Sequence, residues 1–132
     1  MNDHAIKVAV ECFLGSHEGR LSFPEVVGKL MGIGVERYHA DLSRGECTYY
    51  MPDGSSHVVA GNEGADAVRE FSASGVEAAV RAIQAKKIDY RQFCAAILAA
   101  GCVGYFVCLT GRRAVYFGRQ GDNYVEPFPK PA

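Results

Sequence analysis

Residues 21–58, LSFPEVVGKLMGIGVERYHADLSRGECTYYMPDGSSHV, return as residues 88–125, IDYRQFCAAILAAGCVGYFVCLTGRRAVYFGRQGDNYV, at a constant offset of 67 that runs for 38 positions without a gap. Six pairs are identical: Gly34/Gly101, Tyr38/Tyr105, Leu42/Leu109, Tyr49/Tyr116, Gly54/Gly121 and Val58/Val125. Conservative pairs such as Leu21/Ile88, Phe23/Tyr90, Leu30/Ile97 and Tyr50/Phe117 lie between them. Self-similarity at a fixed period marks an architecture assembled from copies of one unit, so the chain reads as a tandem duplication.

Local punctuation recurs at the same offset. Ser22-Phe23-Pro24-Glu25 is a capping box, with a hydroxyl at the N-cap, a carboxylate three residues on, and a proline in the first turn where its missing N–H costs nothing. Asp89-Tyr90-Arg91-Gln92 repeats it. Apolar residues follow at helical spacing, Val26, Val27, Leu30 and Met31 in one copy and Phe93, Cys94, Ile97 and Leu98 in the other. Gly34 and Gly101 then fall where a helix ends in a left-handed residue. After each glycine the pattern predicts a hairpin, Val35–Ser43 turning at Arg44-Gly45 into Glu46–Met51, and Cys102–Thr110 turning at Gly111-Arg112 into Arg113–Gly118. Pro52-Asp53-Gly54 and Gln120-Gly121-Asp122 mark a second turn, after which His57–Ala60 and Tyr124–Glu126 could each add a third strand. An earlier helix in each copy carries Ile6, Ala9, Val10 and Phe13 against Val76, Ala79, Val80 and Ile83 at an offset of 70, and Gly61–Gly75 is the natural connector.

The expected architecture is therefore α+β, a tandem duplication of an ααββ unit (about residues 4–60 and 73–129) in a single domain. Its hairpins merge into one antiparallel sheet with the helices packed on one face. A chain of 132 residues, 48% hydrophobic and 22% charged, suits one domain with a real core. The low-charge stretch from Phe93 to Thr110 is interrupted by Gly101 and Gly104 and makes a poor membrane span. The N-terminus lacks the build of a signal peptide, and a cytoplasmic protein is expected. Five cysteines with no C-x-x-C pair read as reduced, mostly buried thiols. Residues 1–66 hold five Lys/Arg against ten Asp/Glu and residues 67–132 hold nine against five, so the halves carry −5 and +4. No dense basic face is present to suggest nucleic acid, whereas opposite half-charges let two halves or two subunits attract each other, and a homodimer is expected.

Gly34-Val35, Tyr38-His39 and Asp41, Tyr49-Tyr50 and Pro52-Asp53-Gly54, together with Ala100-Gly101-Cys102, Gly104-Tyr105, Gly111-Arg112-Arg113, Tyr116-Phe117-Gly118-Arg119 and Val125-Glu126-Pro127-Phe128-Pro129, resemble the YbcV-like family, a bacterial and prophage-associated domain of unknown function. Its members are often labelled phage envelope proteins. The resemblance runs from about Ile6 to Pro129, lacks the histidine expected near Tyr124 or Pro127, and implies a fold while leaving the activity open.

Duplication fixes a scaffold, while a function need occupy only one copy, so divergent positions are the place to seek a site. Glu36, Tyr38, Ala40 and Leu42 match Val103, Tyr105, Val107 and Leu109 as a core face. The opposite face reads Val35, Arg37, His39, Asp41, Ser43 in one copy and Cys102, Gly104, Phe106, Cys108, Thr110 in the other. His39 and Asp41, two apart on a strand and ~7 Å from each other, are catalytic candidates, because a carboxylate there can orient an imidazole. A solvated strand face explains them equally, and no metal set or cofactor motif accompanies them. His57 is placed on the neighbouring strand. Arg112, Arg113 and Arg119 with Tyr116 and Tyr124 form a basic hairpin carrying aromatics, whose guanidinium forks suit an anionic small ligand. Arg37, His57, Tyr49, Arg112, Arg113, Tyr116 and Arg119 are thus the candidate ligand contacts. Two functions remain open: a non-enzymatic binding or assembly module, or a small-molecule-binding or hydrolase-like protein using His39, Asp41 and an arginine of the second copy. The second requires those groups to converge on one pocket.

Overall fold

The computed structural model describes residues 1–61 and 63–129. It contains α1 (Asp3–His17), α2 (Phe23–Gly32), β1 (Arg37–Asp41), β2 (Glu46–Tyr50), β3 (Ser56–Ala60), α3 (Ala73–Gln84), α4 (Tyr90–Ala99), β4 (Cys102–Cys108), β5 (Arg113–Gly118) and β6 (Asn123–Pro127). The α+β class holds, with four helices and a six-stranded antiparallel sheet among the described residues. Each half carries three strands, so the optional third strand forms in both. The connector is shorter than expected, because the Ser72 hydroxyl accepts from the Gly75 N–H and starts α3 at Ala73. One residue of that connector, Asn62, lies outside the described residues.

Both capping boxes form as hydrogen-bonded pairs. Glu25 N–H donates to the Ser22 hydroxyl while Ser22 N–H donates to the Glu25 carboxylate, and Gln92 and Asp89 repeat the exchange. Beyond the helices, Gly34 (φ +84°) and Gly101 (φ +85°) donate N–H to the carbonyls of Met31 and Leu98. At Gly101 a side chain is excluded twice over, since a Cβ would run into the Glu70 carbonyl and the Phe71 backbone.

The strand order is β3-β2-β1-β4-β5-β6, so the halves join at the centre through β1 and β4. There Arg37 lies opposite Cys108, His39 opposite Phe106, and Asp41 opposite Gly104. Alternation sends Tyr38, Ala40, Cys47 and Tyr49 inward with Tyr105, Val107, Ala114 and Tyr116. These pack with Leu30, Val76, Val80, Phe93 and Ile97 of the helices into one cluster that draws on both halves, and the cluster uses only that face of the sheet. Cys102 departs from the expected parity. A bulge between Cys102 and Gly104 turns its side chain inward, so it is fully buried while Phe106 and Cys108 stay half-buried on the other face. Among the described residues no helix is long and apolar enough to cross a membrane.

Candidate functional site

On the inner face two tyrosine pairs, one from each half of the chain, come together. Tyr38 packs on Tyr49 at 5.5 Å between ring centroids and Tyr105 on Tyr116 at 5.0 Å, with Phe93 edge-on to both rings of the second pair. Above them the C-terminal halves of α1 and α3 and the N-terminal halves of α2 and α4 gather over the middle of the sheet, with the His17 ring of α1 edge-on to Tyr90 of α4 at 4.8 Å and the His17 carbonyl accepting from Arg91. Between these helix ends and the sheet lies a cleft of about 1550 Å³. Its floor is Tyr38, Tyr49, Tyr105 and Tyr116, and its walls include Phe13, Val26, Val80 and Phe93. Arg20, Arg91, Arg112, Glu25 and Phe128 stand at the rim.

The polar atoms of this floor are phenols. Tyr90 and Tyr105 share a hydroxyl–hydroxyl bond at 2.5 Å. The Tyr38 and Tyr116 hydroxyls make no side-chain bond among the described residues; no buried side-chain oxygen or nitrogen there is left unpaired, so both phenols open onto the cleft. Burial holds Tyr38, Tyr49, Tyr90 and Tyr105 well above the usual phenol range and raises Tyr116 as well. Burial also pushes the Cys12 thiol up to about 11 and Cys47 up to about 12. At neutral pH the cleft therefore presents uncharged donors and acceptors on an aromatic floor, with no thiolate for nucleophilic attack.

The residues singled out from the sequence separate into three places. Arg37, His39, Asp41 and Arg113 lie on the outer face of the sheet, away from the helices. His39 stacks on Phe106 at 4.5 Å and burial pulls its pKa down, against the opposing pull of Asp41 and Glu46. Asp41 accepts from the Arg44 N–H and faces Gly104 rather than an arginine of the second half. Arg37 pairs with Glu36 at 2.5 Å and lies over the Tyr50 ring, and Arg113 donates to the Gly111 carbonyl. Tyr49, Tyr116 and Arg112 belong to the cleft, where Arg112 covers the Phe128 ring and donates to the Pro129 carbonyl. His57 sits on β3 opposite Tyr49, on the side of the sheet away from His39, and Arg119 is turned to the Ala67 carbonyl. His39, Asp41, Arg113 and Arg119 do not meet in one pocket.

The cleft escaped the sequence reading although its signal was present. Tyr38/Tyr105 and Tyr49/Tyr116 are two of the six identical pairs, and a tyrosine kept on a core face brings a hydroxyl that must find a partner or a cavity. Among the described residues no three His, Cys, Asp or Glu side chains gather around a common point that could hold a metal ion.

A family described as "Protein of unknown function (DUF1398)" matches residues 5–126. The uncharacterized proteins Rv2012 of Mycobacterium tuberculosis and Mb2035 of Mycobacterium bovis are each 35% identical over 66 residues, which cover 50% of this chain and 40% of each of those proteins. The matched segment thus spans about two fifths of the length of these relatives.

Proposed function

The chain belongs to the DUF1398 family of unknown function, and from its geometry we propose that it is a non-enzymatic binding module that takes a small, largely apolar ligand into the tyrosine-lined cleft. The observation that carries this reading is the pair of nine-tenths buried phenols, Tyr38 and Tyr116, opening onto an aromatic floor. Pockets that hold small molecules are mostly apolar with a few placed polar groups. Arg112 adds support. It sits at φ +53°, where the equivalent residue of the first half is Gly45 at φ +68°. A residue with a Cβ costs about 1–2 kcal/mol in that region, yet an arginine stands there with its side chain at the cleft rim. A ligand with an apolar body and one anionic group fits both features.

The same reading includes the tandem duplication of an ααββ unit, each extended by its third strand. His39 and Phe106 are equivalent at the offset of 67 and are also register partners across β1 and β4. In this reading a twofold axis through that pair relates the halves.

Native mass spectrometry of the protein as purified, followed by titration with anilinonaphthalenesulfonate, tests the proposal. A retained small-molecule mass or one saturable probe site per folded chain is expected, with Tyr116→Phe weakening probe binding about threefold to tenfold, the effect of one hydrogen bond. A bare chain with no saturable probe binding overturns it.

A further inference from the structure

The outer face of the sheet is sorted by chemistry along rows that run across the strands. The middle row is Val58, Thr48, His39, Phe106, Val115 and Val125. It is apolar but for the threonine and a histidine that stacks on Phe106, and Val58 and Val125 at its ends are 48% and 42% exposed. One flanking row carries the cations Arg37 and Arg113, and the other carries the anions Asp41 and Glu46 together with Phe117. An antiparallel sheet with one wet face normally turns polar residues outward. Here Phe106, Val115 and Val125 form a contiguous apolar patch, extended across the His39 ring and Thr48 to Val58, and apolar surface of this kind marks an interaction site.

We propose that this face docks against the same face of a second copy of the chain, with the twofold axis running along the apolar row. Two twofold axes lie in the plane of the sheet. An axis along the strands sets each charged row over itself, arginine near arginine and carboxylate near carboxylate, which is repulsive. An axis along the apolar row instead places Arg37 of one copy over Asp41 of the other, twice by symmetry, while each middle-row residue meets its own counterpart. Aligned sheets pack about 10 Å apart within about 30° of parallel, which keeps the rows in step. Six strands about 4.8 Å apart and about 17 Å long cover about 500 Å² per copy, or about 1000 Å² in all, enough for a specific interface. Asp41 and Glu46 also border the cleft, but the dimer is read from mass and the cleft from probe binding, so failure of one proposal is distinguishable from failure of the other.

Light scattering coupled to chromatography, run at high protein concentration because buried area alone does not set affinity, reads the answer directly. The expected mass is twice 14.3 kDa. Arg37→Asp and Asp41→Arg should each loosen the dimer about tenfold or more, since each sets like charges together, and the double variant carrying both changes should restore it. Val125→Glu, on an exposed edge position, should also weaken it and answers the question if the charge variants fail to fold. A monomeric parent, a dimer indifferent to Val125→Glu, or folded single variants whose combination remains monomeric each overturns the proposal.

Discussion

Cys47, Cys12 and His39 carry the chemistry of this chain that burial alters most legibly. The Cys12 and Cys47 thiols, 1% and 5% exposed, are raised from 9.0 to about 11 and about 12 by desolvation. Because the thiolate is the reactive species, neither should take up iodoacetamide in the folded protein at pH 8, and both should do so in denaturant; intact-mass analysis of the two samples checks this. In the unfolded chain the same thiols ionise near 9.0, so the folded state binds more protons above that point. Stability should hold below pH 9 and fall as pH rises through 11 to 12, by about 1.4 kcal/mol per unit for each thiol. His39 has the opposite sign. Burial lowers its pKa from 6.5, so protonation favours the unfolded chain, and stability falls as pH drops below that value. His39→Phe, which installs the residue the second half carries at Phe106, should flatten this acid limb, seen as a smaller loss of urea midpoint between pH 7 and pH 5. His17, also lowered by burial, keeps part of the slope.

At the scale of elements, equivalent positions in the two halves should respond differently to the same change. Gly34 and Gly101 share a left-handed backbone, but the nearest atom to a Cβ at Gly34 is the flexible Met51 methyl at 3.6 Å, whereas at Gly101 it is the Glu70 backbone. Gly34→Ala should cost about 1–2 kcal/mol from φ alone, and Gly101→Ala at least twice that, because the connector must move; urea unfolding of the two variants separates them. Equal costs would mean that the connector yields freely. The capping boxes are more alike. Ser22→Ala should remove about 1 kcal/mol by orphaning the Glu25 N–H at the start of α2. These effects were readable in outline from the sequence, because a cap joins residues three apart and a glycine terminator acts on its own turn. What the sequence did not carry was the bulge at Cys102, which depends on how β4 pairs with β5 and reverses the parity of one cysteine.

For the whole molecule, the cluster of buried side chains draws on both halves, and β1 pairs with β4 across their junction. One calorimetric transition is expected, with equal calorimetric and van't Hoff enthalpies; two resolved transitions would make each half a folding unit of its own. The repeated stretch, its caps, its helix-ending glycines and its alternating strands determined the α+β class and the order of elements, because each of those signals acts through hydrogen bonds or side-chain parity within a few residues. The sequence also placed Tyr38 and Tyr105 on the core face, while Tyr49 and Tyr116, read there as ligand contacts, join them on that face in the structure. Only the tertiary structure decided that this face is left partly open, since the cleft arises from the spacing of four helices over a sheet, to which no single segment corresponds. The same holds for the outer face, where His39, Asp41 and Arg113 read as a possible catalytic set along the chain. Register across β1, β4 and β5 spreads them instead over separate rows of the surface, because pairing between strands distant in sequence sets those distances and local pattern does not.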